Sequence, residues 1–110
     1  MPDKRILIVE DDADNTNLIR LLLERESLGV ISAENGQKGF EVSKAEIPDL
    51  IIMDLDMPVM DGWKTLEQLQ NDPATKDIPV VIVTAHLLPD ERNRVFEAGG
   101  IGYIFKNHLK

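Results

Sequence analysis

Three continuous runs of apolar, mostly β-branched residues constrain the fold of this chain more than any other feature. They lie at residues 6–9, 50–53 and 80–83, and weaker runs of the same kind lie at residues 30–33 and 102–105. Short runs without polar interruption are typical of strands that are buried on both faces of a parallel sheet. We therefore expect a parallel β-sheet with both faces covered.

Amphipathic segments separate these runs and predict helices. The predicted helices cover residues 13–25, 36–45, 63–70 and 89–98. Asp12 or Asp14 can cap the first helix and Asp61 the third, because a carboxylate at this position accepts hydrogen bonds from free backbone N–H groups. The resulting β-α-β-α-β-α-β-α-β order predicts an α/β fold with helices on both faces of the sheet. At 110 residues, we expect a single domain over residues 1–110.

The composition excludes several classes of function. The chain contains no cysteine, so disulfides and thiolate chemistry are excluded. Its net charge of −8 lacks the basic footprint of proteins that bind nucleic acid directly. No apolar run approaches the roughly 20 residues of a membrane helix, and no signal-peptide pattern precedes the first strand. We therefore expect a cytoplasmic protein that contacts neither nucleic acid nor membrane.

Acidic, hydroxyl and ammonium side chains follow the predicted strands where each strand ends. These residues are Glu10, Asp11, Asp54, Asp56, Thr84 and Lys106. The carboxyl ends of parallel strands meet at one edge of the sheet, so these side chains are expected to gather there. Two carboxylates about 4 Å apart repel by roughly 4 kcal/mol at an effective dielectric of 20, so the cluster needs a counter-ion. Oxygen ligands favour Mg²⁺. A divalent cation together with a lysine is the usual arrangement for binding a phosphoryl group, and a carboxylate can accept such a group.

Several spaced motifs carry a resemblance to a known family. They are ILIVEDD at residues 6–12, DLIIMDLDMP at residues 49–58 with a following turn at residues 61–62, VTA at residues 83–85 and GYIFK at residues 102–106. In this order they resemble the receiver domain of two-component response regulators, over nearly the whole chain. The resemblance implies a doubly wound, flavodoxin-like sheet of five parallel strands in the order 2-1-3-4-5, like that of chemotaxis regulators.

The same resemblance implies the residues of a phosphoacceptor site. Asp54 is implied as the phosphoacceptor. Glu10 and Asp11 are implied as the acidic pair that binds Mg²⁺, together with Asp54 and the backbone carbonyl of Asp56. Gly62 is implied to close the turn that follows the acceptor.

Further roles are implied around the phosphoryl group itself. Thr84 and Lys106 would hold the phosphoryl group, and Tyr103 would be an aromatic switch whose rotamer follows Thr84. Asp56 and His86 stand where such domains tune the lifetime of the phosphoryl bond.

The sequence departs from the family pattern in two places. The family usually has proline after the lysine, whereas Asn107 follows Lys106 here. A cis bond before asparagine is less favourable than one before proline by about 2–3 kcal/mol, so the placement of Lys106 is open. The family's fifth helix is also missing, although residues 18–23 make the first helix apolar over more than one stripe, as if it had a second neighbour.

The resemblance implies a signalling switch and leaves two alternatives. The switch would receive a phosphoryl group from a sensor histidine kinase or a histidine phosphotransfer protein, and would act on a downstream protein. It would not be an enzyme beyond Mg²⁺-dependent self-phosphorylation and autodephosphorylation. One alternative is a protein-interaction or dimerisation module with impaired phosphorylation. The other is a phosphatase of the haloacid-dehalogenase type, which the Asp54-x-Asp56 pair resembles, although that pair usually follows the first strand.

Overall fold

Five parallel strands alternate with four α-helices in the computed structural model, which describes residues 3–57 and 60–109, without the side chains of the last two. The elements are β1 (Arg5–Val9), α1 (Ala13–Glu24), β2 (Gly29–Ala33), α2 (Gly36–Glu46), β3 (Leu50–Asp54), α3 (Gly62–Asn71), β4 (Val80–Thr84), α4 (Pro89–Glu97) and β5 (Gly102–Phe105). A 3₁₀ helix over Lys106–Leu109 follows β5. Residue 58, the last of the second motif, and residue 59 lie outside the described residues.

The sheet order is β2-β1-β3-β4-β5, with every neighbouring pair of strands parallel. This confirms the order that the family resemblance implied. The predicted elements are also confirmed, and their ends differ from the structure by one residue at most. Within the described part of the chain, none of the helices combines the length and the apolar content that a membrane span requires.

Both faces of the sheet carry a hydrophobic core. On one face, side chains such as Leu7, Met53 and Ile82 pack with residues of α2, α3 and α4. On the other face, the side chains of β1, β3 and β4 pack with Ile19 of α1. Apolar residues at every position of a strand can be buried only if both faces are covered, which explains why the strands read as continuous apolar runs.

The face that α1 covers is open near β5. Helix α1 packs against β1 and β2. Further along this face, Val81 is half-buried, and Ile104 is 40% exposed. Leu21 of α1 is 61% exposed, which leaves part of the broad apolar surface of α1 uncovered. We call Leu21, Val81 and Ile104 the open face.

The helix caps match the sequence prediction. The side chain of Asp12, not that of Asp14, caps α1 by accepting hydrogen bonds from the backbone N–H groups of Asp14 and Asn15. Asp61 caps α3 by accepting one from Lys64 N. Each cap starts its helix just beyond the carboxyl end of a strand, so the first turns of α1 and α3 lie near the edge of the sheet where the acidic residues gather.

Gly62 lies where α3 begins, against the backbone that ends β3. A Cβ atom on Gly62 would lie 2.5 Å from Asp54 O and 2.7 Å from Leu55 Cα. Since these are backbone atoms, we expect Gly62→Ala to lower the free energy of unfolding by about 1–3 kcal/mol in a urea titration. Gly102→Ala is the control, because a Cβ atom there meets nothing within 4 Å. Equal effects of the two substitutions would contradict the prediction.

Candidate functional site

Three strands carry charged side chains to one face of the sheet at its carboxyl edge. These residues are Glu10 after β1, Asp54 at the end of β3 and Lys106 after β5. Ile8 lies opposite Ile52 in the register. Because side chains alternate between faces, the residues two positions further along, Glu10 and Asp54, share the face of α1. The register of β3 with β4 and of β4 with β5, combined with the same alternation along β5, places Lys106 on this face as well.

Lys106 lies between the two acids. Its Nζ is 3.0 Å from Asp54 Oδ2 and 3.3 Å from Glu10 Oε1. The side chains of Glu10 and Asp54 are each 2% exposed, and that of Lys106 is 25% exposed. Among the described residues no peptide bond is cis, so Lys106 reaches both acids while Asn107 follows it through a trans bond. The replacement of the family's proline therefore does not displace the ammonium group.

Asp11 adds a third carboxylate. One carboxylate oxygen each from Glu10, Asp11 and Asp54 can be chosen so that all three lie within 4.8 Å of one another. Glu10 and Asp54 are buried, whereas Asp11 is exposed. A set of hard oxygen donors at this spacing, open on one side, fits Mg²⁺ or a related cation that keeps part of its water shell.

The backbone after β3 holds the other oxygen of Asp54. Asp56 N donates a hydrogen bond to Asp54 Oδ1 at 3.2 Å. Both oxygens of Asp54 thus have a donor, one from Asp56 and one from Lys106. The side chain of Asp56 is exposed beside Asp54. This arrangement fixes the plane of the Asp54 carboxylate, and the donor to Oδ1 is a neutral backbone group.

Thr84, His86 and Tyr103 lie around the end of β4. Thr84 is buried, and its Oγ1 donates a long hydrogen bond of 3.4 Å to the backbone carbonyl of His86. The His86 side chain is exposed. Tyr103 is half-buried and lies edge-on to Phe96 and Phe105, with ring centroids 6.1 and 5.6 Å away. Thr84 and Asp54 end neighbouring strands, but the hydrogen bond of Thr84 is directed to His86.

The charges of the site are coupled through burial. Burial raises the pKa of Glu10, and the nearby charge of Asp54 raises it further, while Lys106 and Asn15 act in the opposite direction. Burial by itself would lower the pKa of Lys106, but the hydrogen bond and charge of Asp54, and then Glu10, raise it above its usual value. Lys106 is therefore an ammonium at neutral pH, and Glu10 is the group whose charge is disfavoured by its surroundings.

Some contacts at and near the site were missed by the sequence analysis. Asn15 Nδ2 donates a hydrogen bond to Glu10 Oε1 at 3.3 Å. In α4, the guanidinium of Arg94 lies 4.1 Å from the ring centroid of Trp63. The contact of Asn15 could have been predicted from its position, five residues after Glu10 and in the first turn of the next helix. Nothing in the sequence pairs Arg94 with a ring on another helix.

The pKa of Glu10 predicts a pH dependence of stability. A carboxyl group whose pKa is raised by folding binds more protons in the folded than in the unfolded state. The free energy of unfolding therefore falls as the pH rises from 4.5, the ordinary pKa of a glutamate, through the raised pKa of Glu10. We therefore expect Glu10→Gln to raise the melting temperature at pH 7 in buffer without divalent cations, and to flatten this fall. Thermal unfolding followed by circular dichroism measures both effects.

Glu34→Gln provides the control for this experiment. The exposed Glu34 side chain forms an ion pair with Lys38, which lowers its pKa. Its substitution should leave the melting temperature unchanged or slightly lower, because exposed ion pairs contribute little. A lower melting temperature for Glu10→Gln than for the parent protein at pH 7 would contradict the prediction.

Comparison with known proteins agrees with this geometry. The family model of the response regulator receiver domain matches residues 6–109. The polar-differentiation response regulator DivK of Brucella anthropi is 33% identical over 103 residues, covering 94% of this chain and 84% of DivK. A solved structure, the N-terminal domain of a response regulator receiver protein from Methanoculleus marisnigri, has 39% identity and a TM-score of 0.86, with coverage of 92% of this chain and 82% of that one.

Another solved structure is the Mn²⁺-bound form of the response regulator Rcp1. It is 27% identical to this chain with a TM-score of 0.83, and the match covers 93% of this chain and 80% of Rcp1. The matches to the family model, to DivK and to both structures extend over more than nine-tenths of the chain. The chain therefore belongs to the response regulator receiver domain family of two-component signalling.

Proposed function

We propose that this receiver domain is a phosphoacceptor switch, in which Asp54 receives a phosphoryl group from a phosphohistidine in a Mg²⁺-dependent reaction. The donor is a sensor histidine kinase or a histidine phosphotransfer protein, which implies a cytoplasmic location. The observation that carries the proposal is the position of Lys106 Nζ, 3.0 Å from Asp54 Oδ2 and 3.3 Å from Glu10 Oε1, in a buried site. This arrangement gives one carboxylate an adjacent fixed cation, and such a cation offsets the negative charge of an approaching phosphoryl group.

The transfer uses Asp54 as the nucleophile. One carboxylate oxygen supplies an electron pair to phosphorus and forms the P–O bond of an acyl phosphate. The P–N bond to the donor breaks, and its electron pair stays on the imidazole, which leaves as a neutral ring when its other nitrogen carries a proton. The hydrogen bond from Asp56 N keeps the carboxylate oriented. The ammonium group of Lys106 offsets charge on the phosphoryl oxygens.

Glu10, Asp11 and Asp54 are the residues that would hold a divalent cation. Three carboxylates within 4.8 Å of one another fit such an ion, and the similar structure of Rcp1 is a Mn²⁺-bound form. When bound, the cation neutralises charge on the transferred group. The backbone carbonyl of Asp56 completes the proposed ligand set.

Phosphorylation changes the surface formed by α4 and β5. Phosphorylation replaces the single negative charge of the Asp54 carboxylate with a group that carries a charge of about −1.5 to −2 at the end of β3. The hydroxyl of Thr84 is available to it, because its present hydrogen bond to His86 O is long, at 3.4 Å. Helix α4 can follow at low cost, since Val95 is its one fully buried residue. Tyr103, between the rings of Phe96 and Phe105, would then change its packing, and a downstream protein would recognise the altered surface.

Lifetime tuning is part of the same proposal. Asp56 and His86 follow the ends of β3 and β4, and their side chains are exposed. From there they can order or exclude the water that hydrolyses the acyl phosphate. We do not assign the chain any turnover of external substrates.

A second candidate function is an interaction module that forms homodimers. The open face supports it, because Leu21 and Ile104 are 61% and 40% exposed on the side of the sheet that α1 covers. A contact through this face would cover both side chains, and large exposed apolar patches are typical of contact surfaces. This function is compatible with phosphorylation of Asp54.

The phosphoacceptor proposal predicts a single covalent adduct. Incubation with a small acyl phosphate and Mg²⁺ should add the mass of one phosphoryl group to the intact protein, as measured by mass spectrometry. The adduct should be absent from Asp54→Asn and from samples without divalent cations. Asp77→Asn is the matched control, because Asp77 is an exposed aspartate outside the site. An adduct of equal yield on Asp54→Asn would contradict the proposal.

The dimer proposal predicts association that depends on concentration. Sedimentation velocity should show the weight-average sedimentation coefficient rising with protein concentration. The double substitution Leu21→Gln and Ile104→Thr should remove this rise, because it removes apolar area from the open face. The double substitution Ile47→Gln and Leu88→Gln, at exposed apolar residues elsewhere, should not. A parent protein that stays monomeric at high concentration would rule out the dimer.

A further inference from the structure

Glu10 is held by hydrogen bonds that all reach the same oxygen. Its Oε1 accepts from Asp12 N, from Asn15 Nδ2 and from Lys106 Nζ, each at 3.3 Å. Among the described residues no hydrogen bond is recorded to its Oε2. Glu10 therefore has one oxygen fixed by the protein and one left for a ligand.

The three donors differ in what else they do. Lys106 also binds Asp54 Oδ2 at 3.0 Å and, under the proposed function, turns to the phosphoryl group. Asp12 N is a backbone donor at the start of α1, and its position is set by the helix cap. Asn15 Nδ2 is the one neutral side-chain donor of the three, so it binds Glu10 without the positive charge that would repel a cation.

Asn15 is itself held in place. Its backbone N–H donates to Asp12 Oδ1 at 3.3 Å, within the cap of α1. The side chain is half-buried and belongs to the first turn of the helix, beside the carboxyl edge of the sheet. The amide is therefore presented to Glu10 from a fixed backbone, which keeps the entropic cost of the hydrogen bond low.

We propose that Asn15 is a positioning residue for the divalent cation: it fixes Glu10 Oε1 so that Oε2 faces the ion, both before and after Lys106 turns to the phosphoryl group. The inference rests on the proposed function for the presence of a cation in this site and for the turn of Lys106 to the phosphoryl group. Residues that orient metal ligands through hydrogen bonds typically change metal affinity by about 10–100-fold when they are replaced.

The test is a calorimetric titration of the intact chain with MgCl₂. Asn15→Ala should weaken Mg²⁺ binding by about tenfold, the lower end of the range for such residues. Asn15→Gln, which keeps an amide donor on a longer arm, should recover part of the loss. Asn17→Ala is the matched control, since Asn17 lies on the same helix, is exposed, and makes no recorded hydrogen bond to Glu10. Melting temperatures without divalent cations should differ little between Asn15→Ala and Asn17→Ala.

A kinetic measurement separates positioning from a structural role. With a small acyl phosphate as donor, Asn15→Ala should need about tenfold more Mg²⁺ for half-maximal phosphorylation, with an unchanged rate at saturating Mg²⁺. Unchanged Mg²⁺ affinity in Asn15→Ala, an equal loss in Asn17→Ala, or no Mg²⁺ binding by the parent protein would each overturn the inference. If the parent protein binds Mg²⁺ without being phosphorylated, the proposed function fails, while the calorimetric result still decides the role of Asn15.

Discussion

The ion contacts of Lys106 are the interaction on which the site depends. One ammonium group lies between two buried carboxylates that come from the neighbouring strands β1 and β3. Two carboxylates within 4.8 Å of each other repel by roughly 3–4 kcal/mol at an effective dielectric of 20, and Lys106 offsets this repulsion. The contact requires β1, β3 and β5 to end in register, so the whole sheet contributes to the position of one nitrogen atom.

The same contacts leave the site short of positive charge. Lys106 supplies one cation, whereas Glu10, Asp11 and Asp54 bring three carboxylates. The raised pKa of Glu10 reflects this excess of negative charge in a buried place. This chain thus holds acids in an arrangement that is unfavourable without a further cation, which is the physical basis of the divalent-ion site proposed above.

Much of this fold can be predicted from local sequence, because each buried strand needs an uninterrupted apolar run and each helix needs an amphipathic one. The strand order could not be derived from those runs and came from the resemblance, since pairing depends on contacts far apart in the chain. At the site, the grouping of Glu10, Asp54 and Lys106 can be predicted because each lies where a strand ends. Asn15 does not, because its contact depends on how α1 is rotated above the sheet. Likewise, the sequence alone does not show that Lys106 contacts Glu10 and Asp54 without a cis bond to Asn107. Only the path of the backbone after β5 shows this.

The stacking of Arg94 on Trp63 has a consequence for how this molecule can be observed. The chain contains one tryptophan, and a guanidinium group of α4 lies 4.1 Å from its ring centroid. The ring belongs to α3, which is anchored in the core by Leu66 and Leu69. A displacement of α4 would therefore change the electric field at an indole that itself stays in place. The native protein thus carries an unlabelled optical probe of the helix whose movement would transmit its signal.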